Sequence, residues 1–226
     1  MGRASTAATK LAVVPTEGDS TWDKILRTSA ELFARNGYHA TGIAELSSTL
    51  GISRGSLYHY IDGKQSLLFE ICRTQVGRLN SVAAEIAARD TPAGDRLRDL
   101  ARSLLANISD HRAEWTVFFT DFGALTGPAR EEIIEARTRY EESWRSVIKD
   151  GTASGEFRAV PEIVVKGILG MFNYTYLWLR SDGPLSVDEI ADEFLAVVLR
   201  GIADPAPGST RSARARSGTA GRRANR

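Results

Sequence analysis

The chain has 226 residues, 42% hydrophobic and 25% charged, an ordinary globular composition that excludes a membrane-embedded or wholly disordered protein. Its single cysteine, Cys72, excludes an internal disulfide and, with no secretory segment in view, points to a reducing, cytoplasmic setting. The formal net charge of +1 averages over a strong asymmetry: residues 205–226 hold six arginines and no acid, and the rest carries 23 basic against 28 acidic side chains, the acidic excess lying in residues 74–204.

Residues 1–20 read as a flexible leader, because their apolar run Leu11 to Val14 is far short of the roughly 7 to 15 residues of a signal-peptide core. Helical periodicity then recurs from Trp22 to about Ile202 without sustained alternation, so the predicted fold class is all-α with about nine helices. Ile25, Leu26, Ser29, Ala30 and Phe33 share one face of a first helix that stops near Asn36-Gly37. A second carries Ile43, Leu46 and Leu50 and ends at Gly51, and a third begins at Ser53. A fourth runs from Lys64 to about Ala88, long enough to join two units.

Beyond Pro92 the pattern predicts helices over Ala93–Ser109 and Arg112–Leu125, then a charged one over Ala129–Asp150 followed by a turn from Gly151 to Gly155. An apolar helix is expected over Pro161–Arg180. Its uncharged stretch between Lys166 and Arg180 is thirteen residues, where a membrane span needs about 20, so no membrane partner is expected. The last helix places Val187, Ile190, Ala191, Phe194, Leu195, Val198 and Ile202 at spacings of three and four. Residues 205–226 lack apolar content and read as a disordered, Arg-rich tail able to add salt-dependent attraction to DNA. The expected domains are thus residues 21–66, a three-helix unit, and 67–204, a larger helical one.

The region from residue 41 to 64 has helix-turn-helix spacing. Ser53 is a good N-cap, and Ile52 can close against Leu57 inside the helix. That leaves Arg54, Gly55, Ser56, Tyr58, His59 and Tyr60 outward: donors, a side chain-free approach point and flat rings, a mixture suited to a DNA groove. In combination, Phe33…Gly37-Tyr38…Thr41, Ile43-Ala44-Glu45-Leu46, Gly51-Ile52-Ser53-Arg54-Gly55-Ser56-Leu57-Tyr58-His59-Tyr60 and Lys64…Leu67-Leu68 resemble the TetR family of one-component transcriptional repressors. The resemblance implies a recognition helix containing Arg54, Gly55, Ser56, Tyr58 and His59, with Thr41 and Lys64 gripping phosphates at the starts of the flanking helices. Three positions depart from the family pattern. Gly42 stands where a second Thr is common, which removes one phosphate clamp; Ala44 stands where many relatives carry a basic side chain, which shifts readout toward Arg54; and Ile61 stands where Phe is usual, a packing change without expected consequence.

Gly51-Ile52-Ser53-Arg54-Gly55 also matches the G-x-S-x-G nucleophile elbow of hydrolases. That elbow needs a strand before it, whereas the residues before Gly51 are helical in pattern. His39, His59 and His111 form no H-E-x-x-H pattern and no phosphate loop is present, so neither catalysis, metal nor cofactor is expected. The rival reading is a catalytic helical protein that binds a small molecule without specific DNA binding.

The larger unit suggests sensing and assembly. Trp115, Phe118, Phe119 and Phe122 form an aromatic stripe that, with Trp144, Phe172 and Asn173, would line a cavity for an apolar effector. The last two long helices carry apolar side chains in several directions, and the resemblance implies that they form a two-fold dimer interface presenting two recognition helices to a palindromic operator. Residues from Pro161 to Ile202 look like a TetR branch that controls fatty-acid or steroid catabolism and binds acyl-CoA thioesters. The expected function is therefore a homodimeric, ligand-responsive repressor.

Overall fold

The computed structural model describes residues 20–202. The expected leader and Arg-rich tail lie outside them, apart from Ser20. Nine α-helices make up the described part: α1 (Thr21–Asn36), α2 (Ile43–Leu50), α3 (Arg54–Tyr58), α4 (Lys64–Ala87), α5 (Ala93–Asp110), α6 (Arg112–Asp121), α7 (Gly127–Ser154), α8 (Ile163–Asn173) and α9 (Val187–Ile202). No strand interrupts them among the described residues, and no described helix is long and apolar enough to cross a membrane.

Local chemistry sets the first boundaries. Ser20 and Asp23 form a reciprocal capping box at α1: the Asp23 N–H donates to Ser20 Oγ at 3.1 Å, and the Ser20 N–H to the Asp23 carboxylate at 3.2 Å. Gly51 closes α2 in the left-handed region (φ 71°), where a side chain would be strained. Ser53 then accepts the Ser56 N–H at 3.0 Å and starts α3. Ile25, Phe33, Leu46, Leu57 and Leu67 are buried together, so α1 to α3 share a core with the first turns of α4. α4 continues unbroken past residue 66. It packs along α7 and α6 while α5 packs on α9, so one rigid rod serves both units.

Three expected boundaries move, two of them at contacts distant in sequence. The aromatic helix ends as α6 at Asp121, and Phe122–Ala124 form a 3-10 turn instead of its last α-turn. The apolar helix reaches only Asn173, followed by a 3-10 segment, Tyr174–Leu177, and not Arg180. There the guanidinium of Arg112 at the start of α6 takes the carbonyls of Tyr176 and Leu177, at 3.3 and 3.0 Å. Lastly, the expected turn at Gly151 is helical, and α7 runs on to Ser154. Gly151 is buried, and a Cβ there would fall on the Phe157 ring and lie 2.8 Å from Ala93 Cβ. The glycine serves close packing of α7 on α5, not chain reversal. Gly151→Ala is expected to cost about 1–3 kcal/mol by overpacking, read as a lower midpoint of urea unfolding at unchanged slope.

Candidate nucleic-acid interface

The three-helix unit displays its reader as a run of exposed positions around one buried anchor. Leu57 is fully buried, while Ser53, Arg54, Gly55, Ser56, Tyr58, His59 and Tyr60 are exposed. Tyr58 and Tyr60 stand out, at 54% and 46% exposed, a cost that a monomer in water would avoid by burying the rings. Ser53 and Ser56 share a hydroxyl contact at 2.9 Å at the helix start, and Ser53 is occupied as the cap. Because α2 precedes Gly51, the strand that a nucleophile elbow requires is absent. Gly42 is the exposed N-cap of α2 and supplies no side-chain cap, which leaves that helix's first N–H groups open to an anion.

Two expected phosphate grips are placed otherwise. Thr41 is fully buried, and its hydroxyl donates to the carbonyl of Gly37 at 3.0 Å. Lys64 is half-buried, and its ammonium donates to the carbonyls of Tyr38, His39 and Thr41 at 2.6, 3.3 and 3.0 Å while lying 4.4 Å from the Tyr38 ring centroid. An ammonium has three donors, and here each has a carbonyl. These side chains tie the α1–α2 connection to α4, and we propose that they hold the reader's frame and do not grip phosphates.

The larger unit contains a cavity of about 280 Å³. Of the expected lining, Trp115, Phe118, Phe119 and Asn173 border it, with the Trp115 and Phe119 rings stacked at 5.5 Å. Phe122, Trp144 and Phe172 do not. Phe122 packs on Phe118 under the Arg130 and Arg137 guanidiniums. Trp144 and Phe172 are fully buried against each other at 5.9 Å, and Phe172 meets Phe194 of α9, so they fill core.

Sequence reasoning missed the opposite wall, which includes Val76 and Leu79 of α4, Arg137, Tyr140 and Glu141 of α7, and Lys166 and Leu169 of α8. The signal existed at the i, i+3, i+4 spacing of Arg137, Tyr140 and Glu141, but a charged helix face reads first as solvated. Lys166 Nζ lies 3.8 Å from the Glu141 carboxylate, so charge rims an aromatic floor. Burial pushes the Tyr140 phenol up, keeping it protonated at any physiological pH. Among the described residues no group of three His, Cys, Asp or Glu side chains is placed to hold a metal ion.

At the junction of the two units, Arg78 Nη1 lies 3.0 Å from His111 Nε2. Burial, and then the neighbouring Arg78 charge, lower the His111 pKa below its ordinary value, with Asp110 opposing. The unfolded chain therefore binds the proton more readily than the native one. Stability should be fully present above the ordinary histidine value, fall as pH drops through it, and level off below the lowered native value. Glu114, raised by burial, has the opposite sign, so the check is the difference between wild-type and His111→Gln melting curves across pH.

Comparison with known proteins covers both units. Residues 25–71 match the family described as bacterial regulatory proteins, tetR family, and residues 90–202 the tetracyclin repressor-like C-terminal domain. The HTH-type transcriptional repressor KstR2 of Mycolicibacterium smegmatis is 26% identical over 193 residues, covering 83% of this chain and 93% of that protein. The solved structure of the ketosteroid transcriptional regulator KstR2 of Mycobacterium tuberculosis superposes with a TM-score of 0.77 at 25% identity, over 84% of this chain and 98% of that one. The TetR family regulator PfmR from Thermus thermophilus gives 0.74 at 28% identity, over 79% and 98%. With a helix-turn-helix surface built as described and both halves matched, the chain belongs to the TetR family of bacterial regulatory proteins.

Proposed function

We propose that this protein is a cytoplasmic, homodimeric repressor that binds a palindromic DNA operator and is released by a small apolar effector. It acts by binding and not by catalysis. The observation that carries the reading is the exposed run Arg54 to Tyr60 around buried Leu57, on a chain matched at both ends to a regulatory family. Arg54 and Tyr58 read bases. Ser53, Gly55, Ser56, His59, Tyr60 and the open N–H groups behind Gly42 position the backbone.

Dimerisation follows from an apolar surface on the last helices. Ile163, Tyr174 and Val197 are 67%, 63% and 65% exposed, beside Leu177 and Trp178, and Gly167 and Gly170 leave room for a close helix approach. Such a surface is buried by its two-fold copy through α8 and α9. The effector enters the 280 Å³ cavity with its apolar part on Trp115, Phe118 and Phe119 and its polar end toward Asn173, Arg137 and Lys166. An acyl-CoA thioester fits this polarity if only its acyl end is enclosed, and the likeness to KstR2 supports a lipid-derived ligand.

Ligand and operator are linked through α4. A molecule that binds better to one spacing of the two recognition helices shifts DNA affinity by that difference alone. The test is a gel shift on the DNA upstream of the protein's own gene, with and without a panel of acyl-CoAs, alongside the double variant Tyr174→Glu, Val197→Glu. The expected results are a specific complex weakened by at least one thioester, and a monomeric double variant that no longer binds. Failure of every thioester would remove the effector class, and operator binding by the monomer would remove the dimer model.

A further inference from the structure

Between α1, α4 and the start of α6 lies a second cavity, about 510 Å³, separate from the aromatic one and opposite to it in chemistry. Four carboxylates and three guanidiniums share its wall with His111. Two of the guanidiniums, Arg78 and Arg112, have their donors committed. Arg78 meets His111 Nε2 at 3.0 Å, and since a guanidinium only donates, the imidazole is the acceptor and carries its proton on Nδ1. Arg112 serves the carbonyls of Tyr176 and Leu177, and Arg27 is engaged as well.

One acceptor is in the reverse condition. Gln75 on α4 is 2% exposed, lines this cavity, and its Oε1 has no donor. A buried carbonyl oxygen in that state is unusual in a native fold and asks for an N–H or O–H from outside the chain. Glu114 is half-buried nearby. Burial holds its carboxyl above the ordinary range, against its own backbone N–H and the Arg78 charge, with Glu31 adding to the rise and Arg27 opposing it. At Arg78 and Arg112 an anionic ligand would have to take donors from His111 and from two carbonyls, whereas a cation bearing N–H groups meets in Gln75 Oε1 an acceptor that lacks one.

We propose that this cavity is a second ligand site that takes a small organic ammonium, a primary amine or linear diamine, with its N–H groups on Gln75 Oε1 and the Glu114 carboxylate. Because α1 belongs to the reader and α6 to the larger unit, an occupant braces one against the other. The effector cavity, on the other side of α4's Val76 and Leu79, is not involved.

The experiment titrates 1,4-diaminobutane into the full chain by calorimetry, with butanedioate as the control of equal length and opposite charge. Saturable binding of one diamine per chain is expected, with a raised Tm and an affinity reduced about tenfold or more in Glu114→Gln, which preserves shape, and in Gln75→Leu. If Gln75→Leu loses its helical circular dichroism, the comparison rests on Glu114→Gln. Equal affinity in wild type and Glu114→Gln, preference for butanedioate, or no saturable uptake of the diamine at millimolar concentration would each overturn the proposal.

Discussion

Replacing Arg54 by alanine is expected to abolish specific operator binding while leaving the fold intact. Arg54 is exposed at the first position of α3, so its loss opens no cavity, and the helix keeps its Ser53 cap and Leu57 anchor. A bidentate arginine contact to a guanine edge discriminates by about 1–3 kcal/mol. A two-fold dimer makes that contact twice, so the loss is about 2–6 kcal/mol, or roughly 30-fold to more than 10⁴-fold in Kd. Ala44 strengthens the expectation, because the neighbouring helix offers no basic side chain at that position to take over. Fluorescence anisotropy at fixed salt measures the effect, and a thermal melt checks the fold. Full specific binding by Arg54→Ala and Tyr58→Ala alike would place base reading elsewhere.

Lys64→Met should lower stability by about 3 kcal/mol, the second large effect. Three charge-assisted bonds to carbonyls are lost, each worth about 1.5–3 kcal/mol in isolation, and the carbonyls of Tyr38 and Thr41 are left part-buried without that donor. The terms are not additive because the three acceptors share one ammonium. The outcome separates two roles. A phosphate grip would leave the urea midpoint in place and reduce the slope of log K against log salt by about 1 for each phosphate contact removed. A frame residue does the reverse, moving the urea midpoint and, where the variant is still folded, leaving the salt slope unchanged.

The helix-turn-helix was legible because its determinants are local. Ser53, Gly51 and the Ile52–Leu57 spacing act within one turn, and the exposed run Arg54 to Tyr60 follows once Leu57 is known to face inward. The effector cavity was legible by halves. The aromatic stripe on α6 announces itself by spacing, and Trp115, Phe118 and Phe119 do border the cavity. Trp144 and Phe172 carry the same apolar signal and are core, since nothing in an aromatic side chain distinguishes lining a cavity from filling one. Arg137, Tyr140 and Lys166 were hidden by the converse, a polar face that another helix partly covers.

By itself the sequence determined the all-α class, the order of the helices and the position of the reader, all consequences of periodicity, caps and turn residues acting over a few positions, and its motif from Phe33 to Leu68 carried the resemblance to the family. The net charge of +1 added nothing until it was divided along the chain. Tertiary structure alone decided that Lys64 spends its charge on carbonyls 23 to 26 residues away, that Gly151 makes room for Phe157 and Ala93, and that Arg112 reaches the 3-10 turn after α8. It also decided which charged residues meet at the junction of α1, α4 and α6. The physical reason is range. A cap or a hydrophobic stripe is specified by neighbours in sequence, whereas the partner of a long polar side chain is whichever group the packing of distant helices leaves within reach.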